Sequence, residues 1–261
     1  MAEQILTIDL GNSACKLCLF ESLDATWRVA ETRAFANGPA LTSEVAAFVE
    51  GRAQVAAAAL SGVAQAALEL ELARALTRHF GERFQSNPIV AGMDLEYSPP
   101  DALGRDRLYA ARGALAVAPS AAALIVVDAG TALTVDAVAN NGSRPRFLGG
   151  AIAPGPRLLA DALARNTARL PRIDPRPGAL ALGRDTQGAL QAGVVVGLRG
   201  AVLELVRRIE REGGFDAATL VVTGGARELL LRPESCFGTR GVIEDAQLVH
   251  RGLLHALLDA R

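Results

Sequence analysis

Two aspartates end apolar runs in matching contexts. Asp9 follows Ile5-Leu6-Thr7-Ile8 and precedes Leu10-Gly11-Asn12-Ser13; Asp128 follows Ile125-Val126-Val127 and precedes Ala129-Gly130-Thr131-Ala132, 119 positions later. Each reads as a strand, a tight turn and a returning strand with a carboxylate at the rim. Glycine lets backbone approach a ligand closely, and successive N–H groups in a turn form a concave site for phosphate oxygens. Asn12, Ser13 and Thr131 add uncharged hydrogen-bonding groups, and an aspartate beside them suits a hard cation such as Mg²⁺, held directly or through water. One Asp-x-Gly turn is ordinary hairpin chemistry. Two in matching context imply two related domains, each sending a phosphate-gripping hairpin into a shared cleft.

Between the copies, Leu103-Gly104-Arg105-Asp106-Arg107 opens a predicted helix. A helix start offers free N–H groups and a positive dipole end to an anion. Asp106 there is either an electrostatic cap or, set between two phosphate turns, a base, with Arg107 as an ion-pair partner or an anion clamp. Gly149-Gly150 and Gly224-Gly225 read as turns, either plain or brought close to a ligand. Cys15-Lys16-Leu17-Cys18 has C-x-x-C spacing, but no second such pair accompanies it and alternate strand residues face opposite sides, so these read as structural cysteines. Lys16, the only lysine, is a phosphate partner or a solvated strand residue. His79, His250 and His255 are scattered and make neither triad nor metal spacing.

The elements that must position these residues follow from periodicity and punctuation. Strands are predicted over 26–32, 55–61, 89–90, 122–128, 133–138 and 220–223, beside the first hairpin. Helices are predicted over 68–79, 103–117, 156–168, 186–212 and 247–258. The segment 94–100, ending in Ser98-Pro99-Pro100, excludes a helix. Hairpins first and crossing helices after is the order in both halves, giving an α/β chain with domains at 1–118 and 119–261.

Composition limits the partners. The 261 residues are 50% hydrophobic with a formal net charge of −1, so the core is ample and no basic field favours nucleic acid or a membrane surface. The apolar stretch 192–206, interrupted by Arg199 and Glu204, reads as too short for a bilayer. No targeting segment is expected before the first strand, and three cysteines form no disulfide framework. A cytoplasmic protein is the expectation.

Together, Asp9-x-Gly11-Asn12-Ser13, Tyr97, Gly104-x-Asp106-Arg107, Asp128-x-Gly130-Thr131-Ala132-x-Thr134-x-Asp136, Gly149-Gly150-x-Ile152-x-Pro154-Gly155, Thr186 and Gly224-Gly225 resemble the type III pantothenate kinases. These belong to the superfamily of acetate and sugar kinases, Hsp70 and actin. The resemblance covers almost the whole chain. It implies two ribonuclease-H-like domains with a cleft, a homodimer, and ATP-dependent phosphorylation of pantothenate. It places ATP phosphates on Asp9, Leu10, Gly11, Asn12, Ser13, Ala14, Cys15, Lys16 and Thr131, with Mg²⁺ accompanying ATP near Asp9. It makes Asp106 the base and Asp128 the ligand of a monovalent cation, K⁺ or NH₄⁺. Tyr97, Gly104, Arg105, Asp106, Arg107 and Thr186 become pantothenate contacts. Ala14-Cys15-Lys16 departs from the polar residues common in the family after the first turn, leaving backbone contacts there. The alternatives are another small-molecule kinase of the superfamily and a non-catalytic nucleotide-binding regulator.

Overall fold

The structure, a computed structural model, describes residues 2–24, 26–52, 54–62 and 66–260. The first half of the chain runs β1 (Gln4–Leu10), β2 (Ala14–Leu23), β3 (Thr26–Ala36), α1 (Leu41–Glu50), β4 (Val55–Gly62), α2 (Ala66–Phe80), β5 (Phe84–Ser86), β6 (Asp94–Leu95) and α3 (Arg105–Val117). The second runs β7 (Ala123–Ala129), β8 (Ala132–Ala139), β9 (Arg146–Pro154), α4 (Pro156–Asn166), α5 (Thr186–Gln191), α6 (Gly197–Gly213), β10 (Thr219–Thr223), α7 (Glu228–Leu231), β11 (Val242–Glu244) and α8 (Leu248–Asp259).

Two compact units result: Met1–Gly92 with Asp101–Ala116 and Gln247–Arg261, and Met93–Pro100 with Val117–Ala246. This differs from a single division after residue 118. Helix α8 belongs to the first unit because it packs on β1 and β4, and the segment with β6 belongs to the second because β6 pairs with β9.

The first unit's sheet has the order β3-β2-β1-β4-β5, antiparallel across β1 to β3 and parallel from β1 to β5. The second repeats it as β9-β8-β7-β10-β11, with β6 added beside β9. Central strands covered on both faces must be apolar on both, and Ile5, Leu6, Ile8 and Leu10 of β1 are all fully buried. One face of the first sheet packs Leu6, Ile8, Leu10, Leu17 and Leu60 against α1 and α2. The opposite face carries Thr7, Asp9, Lys16, Cys18 and Ser61, by strand alternation, and lies under α8. Helices α3 and α8 approach closely: a Cβ on Gly252 would strike the Tyr109 carbonyl, and one on Gly113 the Leu248 carbonyl.

The second unit's core joins Ile125, Val127, Leu133, Val135, Leu220 and Val222 to Leu198, Val202 and Val206 of α6. Asp185 caps the helix beginning at Thr186, its Oδ1 accepting from the Gly188 amide at 2.6 Å. A π-helical turn, Ala192–Val196, joins α5 to α6, and Gly214, at φ 67°, ends it. Over Thr186–Gly213, 28 residues, this is the one helix among the described residues long and apolar enough to cross a membrane, longer than the 192–206 stretch suggests.

Other departures are local. The short strand expected at 89–90 lies earlier, as β5, because Asn87 adopts φ 52° and breaks the run before Pro88. Gly149-Gly150 lies inside β9 rather than in a turn. Helix α1 falls outside the predicted elements, although Leu41, Val45 and Val49 repeat at four-residue spacing.

Candidate active site

Asp9, the penultimate residue of β1, faces Lys16 of β2 on one side and Ser61 of β4 on the other. Burial pushes its carboxyl up to about 6; the Lys16 charge pulls it down and Asp106 pushes it up. Asp9, Lys16 and Asp106 are thus gathered in the first unit. The turn that follows is braced from within. The Gly11 amide donates to the Ala14 carbonyl (3.1 Å), and Asn37 Nδ2 donates to the Gly11 carbonyl (2.8 Å). Asn12 and Ser13 are exposed at its tip. Leu10 and Cys15 point into the hydrophobic core, so only their backbone is available to a ligand.

Asp106 lies in the first turn of α3, where its Oδ1 accepts from the Arg107 amide at 2.9 Å. Gly104 makes this possible: a Cβ there would stand 2.6 Å from Asp106 Oδ1. Arg105 is exposed and donates to the Asn87 carbonyl (3.3 Å), while Arg107 is only 5% exposed and is engaged within the protein. Tyr109 anchors the next turn by donating to the Pro88 carbonyl at 2.8 Å. The cap and base readings of Asp106 are therefore compatible: one oxygen steadies the helix start and the carboxylate remains beside Asp9.

The C-x-x-C pair is resolved by strand alternation. Cys15 joins the α1/α2 core, whereas Cys18 lies on the opposite face, so the two thiols cannot chelate one ion. Burial, helped by Asp9, pushes the Cys15 thiol up to about 12.

In the second unit Asp128 faces Thr134 of β8 and Thr223 of β10. Its loop holds three residues, Gly130, Thr131 and Ala132, where the first holds four, Gly11 to Ala14, so the two turns are not superimposable copies. The Gly130 amide donates to the Ala132 carbonyl (3.0 Å), and the Gly155 amide to the Thr131 carbonyl (3.0 Å). A Cβ on Gly155 would collide with the Gly130 and Thr131 carbonyl oxygens. One on Gly224, at φ 92°, would collide with Asp128 Oδ1 and Ala129. One on Gly150 would meet Val135 and the buried Asp136. The glycine pairs thus shape the second turn and its sheet. Thr131 is exposed at the tip. Tyr97 packs edge-on against Phe147, with centroids 6.2 Å apart, and Thr186 is exposed at the start of α5.

Among the described residues no three His, Cys, Asp or Glu side chains converge on a metal position. The observation that bears on a divalent ion is the mutual repulsion of Asp9 and Asp106, which a cation carried by phosphate would relieve.

Comparison with known proteins separates fold from family. Component A of the (R)-2-hydroxyglutaryl-CoA dehydratase of Acidaminococcus fermentans matches 98% of this chain and 97% of its own, at a TM-score of 0.53 and 14% identity. The ethanolamine utilization protein EutJ of Carboxydothermus hydrogenoformans gives 0.54 at 15% identity, over 97% of this chain and 89% of its own. These likenesses establish the two-domain α/β fold of the actin-like ATPases. Sequence relatives are far nearer. A type III pantothenate kinase of Thermus thermophilus is 37% identical over 258 residues, covering 98% of this chain and 99% of its own. That of Halorhodospira halophila is 40% identical over 260 residues, covering 96% of each. The family model for type III pantothenate kinase matches residues 5–208, a span containing Asp9, Asp106, Asp128 and Thr186. By that match and those identities, the chain belongs to the type III pantothenate kinase family.

Proposed function

We propose that this protein transfers the γ-phosphoryl group of ATP to the primary hydroxyl of pantothenate, giving 4'-phosphopantothenate in the first step of coenzyme A biosynthesis. The observation that carries the chemistry is the electrostatic coupling of Asp106, at a helix start, to Asp9, in a phosphate-type turn. In-line transfer asks for positioning and charge neutralisation more than for covalent catalysis. As the pantothenate oxygen bonds to the γ-phosphorus, the bond to the β-phosphate oxygen breaks and ADP leaves. The hydroxyl proton passes to the Asp106 carboxylate. General bases of this kind contribute roughly 10²- to 10⁴-fold in rate.

The amides of the turn Gly11 to Ala14, the side chains of Asn12 and Ser13, and Lys16 bind ATP phosphates; Leu10 and Cys15 contribute backbone alone. Asp9 would hold the Mg²⁺ that accompanies ATP, directly or through water, and that ion would offset phosphate charge. In the second unit Thr131 binds phosphate and Asp128 binds K⁺ or NH₄⁺. Tyr97, Gly104, Arg105, Arg107 and Thr186 recognise pantothenate, and the exposed Arg105 is the more available guanidinium for its carboxylate.

The protein acts as a cytoplasmic homodimer, without nucleic acid or membrane. Supporting the dimer, the second unit exposes Ile152, Leu180 and Leu182 at 63%, 78% and 72%. Coupled ADP release with pantothenate against a panel of sugars, in K⁺ and then Na⁺, tests the whole reading. Release that needs pantothenate and K⁺ is expected; release indifferent to pantothenate would overturn it.

A further inference from the structure

His250 of α8 is buried in the first unit, at 2% exposure, far from any recognisable motif. Its Nδ1 lies 2.9 Å from the hydroxyl of Thr7, which donates its single proton to the Cys18 carbonyl at 3.2 Å. The two contacts share one hydroxyl proton: with it on the Cys18 carbonyl, Nδ1 donates to Thr7 and Nε2 carries the lone pair, the tautomer on which the proposal below rests. Burial, reinforced by the Lys16 charge, depresses the imidazole to about 3 and keeps it neutral.

Nε2 is one of three enclosed polar atoms on this face of the sheet without a partner among the described residues; the others are Ser61 Oγ and Asp9 Oδ1. Ser61 is the register partner of Asp9 on the adjacent strand, about 5 Å away between backbones. Thr7 precedes Asp9 by two residues on the same face, about 7 Å along the strand. The 2.9 Å contact with Thr7 sets the imidazole on this face of β1, two residues from Asp9.

In that tautomer the hydrogen-bond count does not close with side chains alone. Asp9 Oδ1 and His250 Nε2 are both acceptors, and Ser61 supplies one proton. An enclosed acceptor left unpaired is destabilising. A water supplies two protons and accepts a third, and polar enclosures offering two to four partners hold such waters.

We propose that a structural water lies beneath Asp9, bound by Asp9 Oδ1, Ser61 Oγ and His250 Nε2, and that Ser61 and His250 are positioning residues that hold the Asp9 carboxylate for cation-bound phosphate. The water itself stands on the structure; the task of Asp9 rests on the kinase reading above. Thr7 fixes the imidazole tautomer, the tautomer fixes the water, and the water fixes one carboxylate oxygen while the other is left for the ligand. Outer-shell partners of this kind typically change metal affinity or activity about 10- to 100-fold.

The test uses the full-length protein. Long-range ¹⁵N correlation spectra of its three histidines are expected to show His250 neutral near pH 7 with its proton on Nδ1; a proton on Nε2 overturns the proposal. Ser61→Ala is expected to weaken Mg·ATP binding, by calorimetry, about tenfold or more, leaving the KM for pantothenate within about twofold. Ser61→Thr, which keeps the hydroxyl, is expected to recover most of the loss. Unchanged Mg·ATP affinity in Ser61→Ala, or a high-resolution crystal structure with no water on these three atoms, also overturns it. Were the wild-type protein inactive on pantothenate, the kinase reading would fail while the tautomer and the water could still be read directly.

Discussion

Asp9 faces Lys16 across the β1–β2 hairpin, with the lysine's charge acting on the aspartate's carboxyl. At the equivalent place in the second unit Asp128 faces Thr134, because that loop is one residue shorter. The first turn thus sets a lysine directly across from its aspartate, where the second sets a threonine. Replacing Lys16 by Met, of similar reach and no charge, should lift the Asp9 carboxyl further above about 6. Losing the charge-assisted contact to phosphate should raise the KM for Mg·ATP at pH 7.5 on the order of tenfold. The penalty should deepen as pH falls, since a protonated Asp9 no longer attracts a cation. A pH-independent change in KM would detach Lys16 from Asp9.

Asp106 combines a first-turn position with proximity to a second carboxylate. Asp106→Asn retains an oxygen that can accept from the Arg107 amide, so the helix start should survive. The proton acceptor is lost, and kcat should fall roughly 10²- to 10⁴-fold with Mg·ATP binding nearly unchanged by calorimetry. Near wild-type turnover would remove Asp106 from the reaction.

Gly155 touches the second turn with its backbone, and no room remains for a methyl group against the Gly130 and Thr131 carbonyls. Gly155→Ala must push the turn outward or strain it, at a cost of about 1–3 kcal/mol. Urea unfolding should show that loss, and the KM for ATP should rise as Thr131 moves. If stability falls and the KM does not, the turn is only scaffold.

The apolar residues Leu180 and Leu182 precede the Asp185 cap and face solvent. If they pack against a second copy, Leu180→Asp with Leu182→Asp should convert the protein to monomer by light scattering. The loss of pantothenate activity should be larger than that of Mg·ATP affinity. A native monomer in the unsubstituted protein would rule the dimer out.

Much of this was legible from residue order because the informative features are local. The two hairpins could be read from apolar runs closed by Asp-x-Gly, and α3 from its glycine, charged first turn and following alanines. What escaped was set by distant contacts. Nothing near Gln247 says that α8 returns to the first sheet; Gly113 and Gly252 permit that packing from positions 139 residues apart. The two residues of β6 are too few to carry an alternation. Gly149-Gly150 looked like a turn, as Gly224-Gly225 is, because the neighbour that needs Gly150, Asp136, comes from another strand. A lone histidine on an amphipathic helix carries no spacing signal, so His250 became informative only once Thr7 was seen beneath it.

Asp9 and His250 also set opposing dependences of stability on pH. The folded His250 is depressed from 6.5 to about 3, so between those values the unfolded chain binds the extra proton and stability falls as pH falls. The folded Asp9 is raised from 3.8 to about 6, so in that window the folded protein binds the extra proton and stability falls as pH rises. Each slope is about 1.4 kcal/mol per pH unit, and from about pH 4 to 6 they largely offset. Asp9→Asn removes only the second. Without ligands, the variant should be more stable than the wild type by up to about 3 kcal/mol above pH 6, a difference shrinking to zero near pH 4. Parallel urea titrations at pH 4.5, 5.5 and 7.5 would measure that difference, in which the titration of carboxylates not coupled to Asp9 cancels. Equal stabilities at pH 7.5 would mean that Asp9 is not strained by its burial. A gain there, with phosphoryl transfer lost, would show that a buried carboxylate destabilises the resting fold and is kept for the ligand it binds.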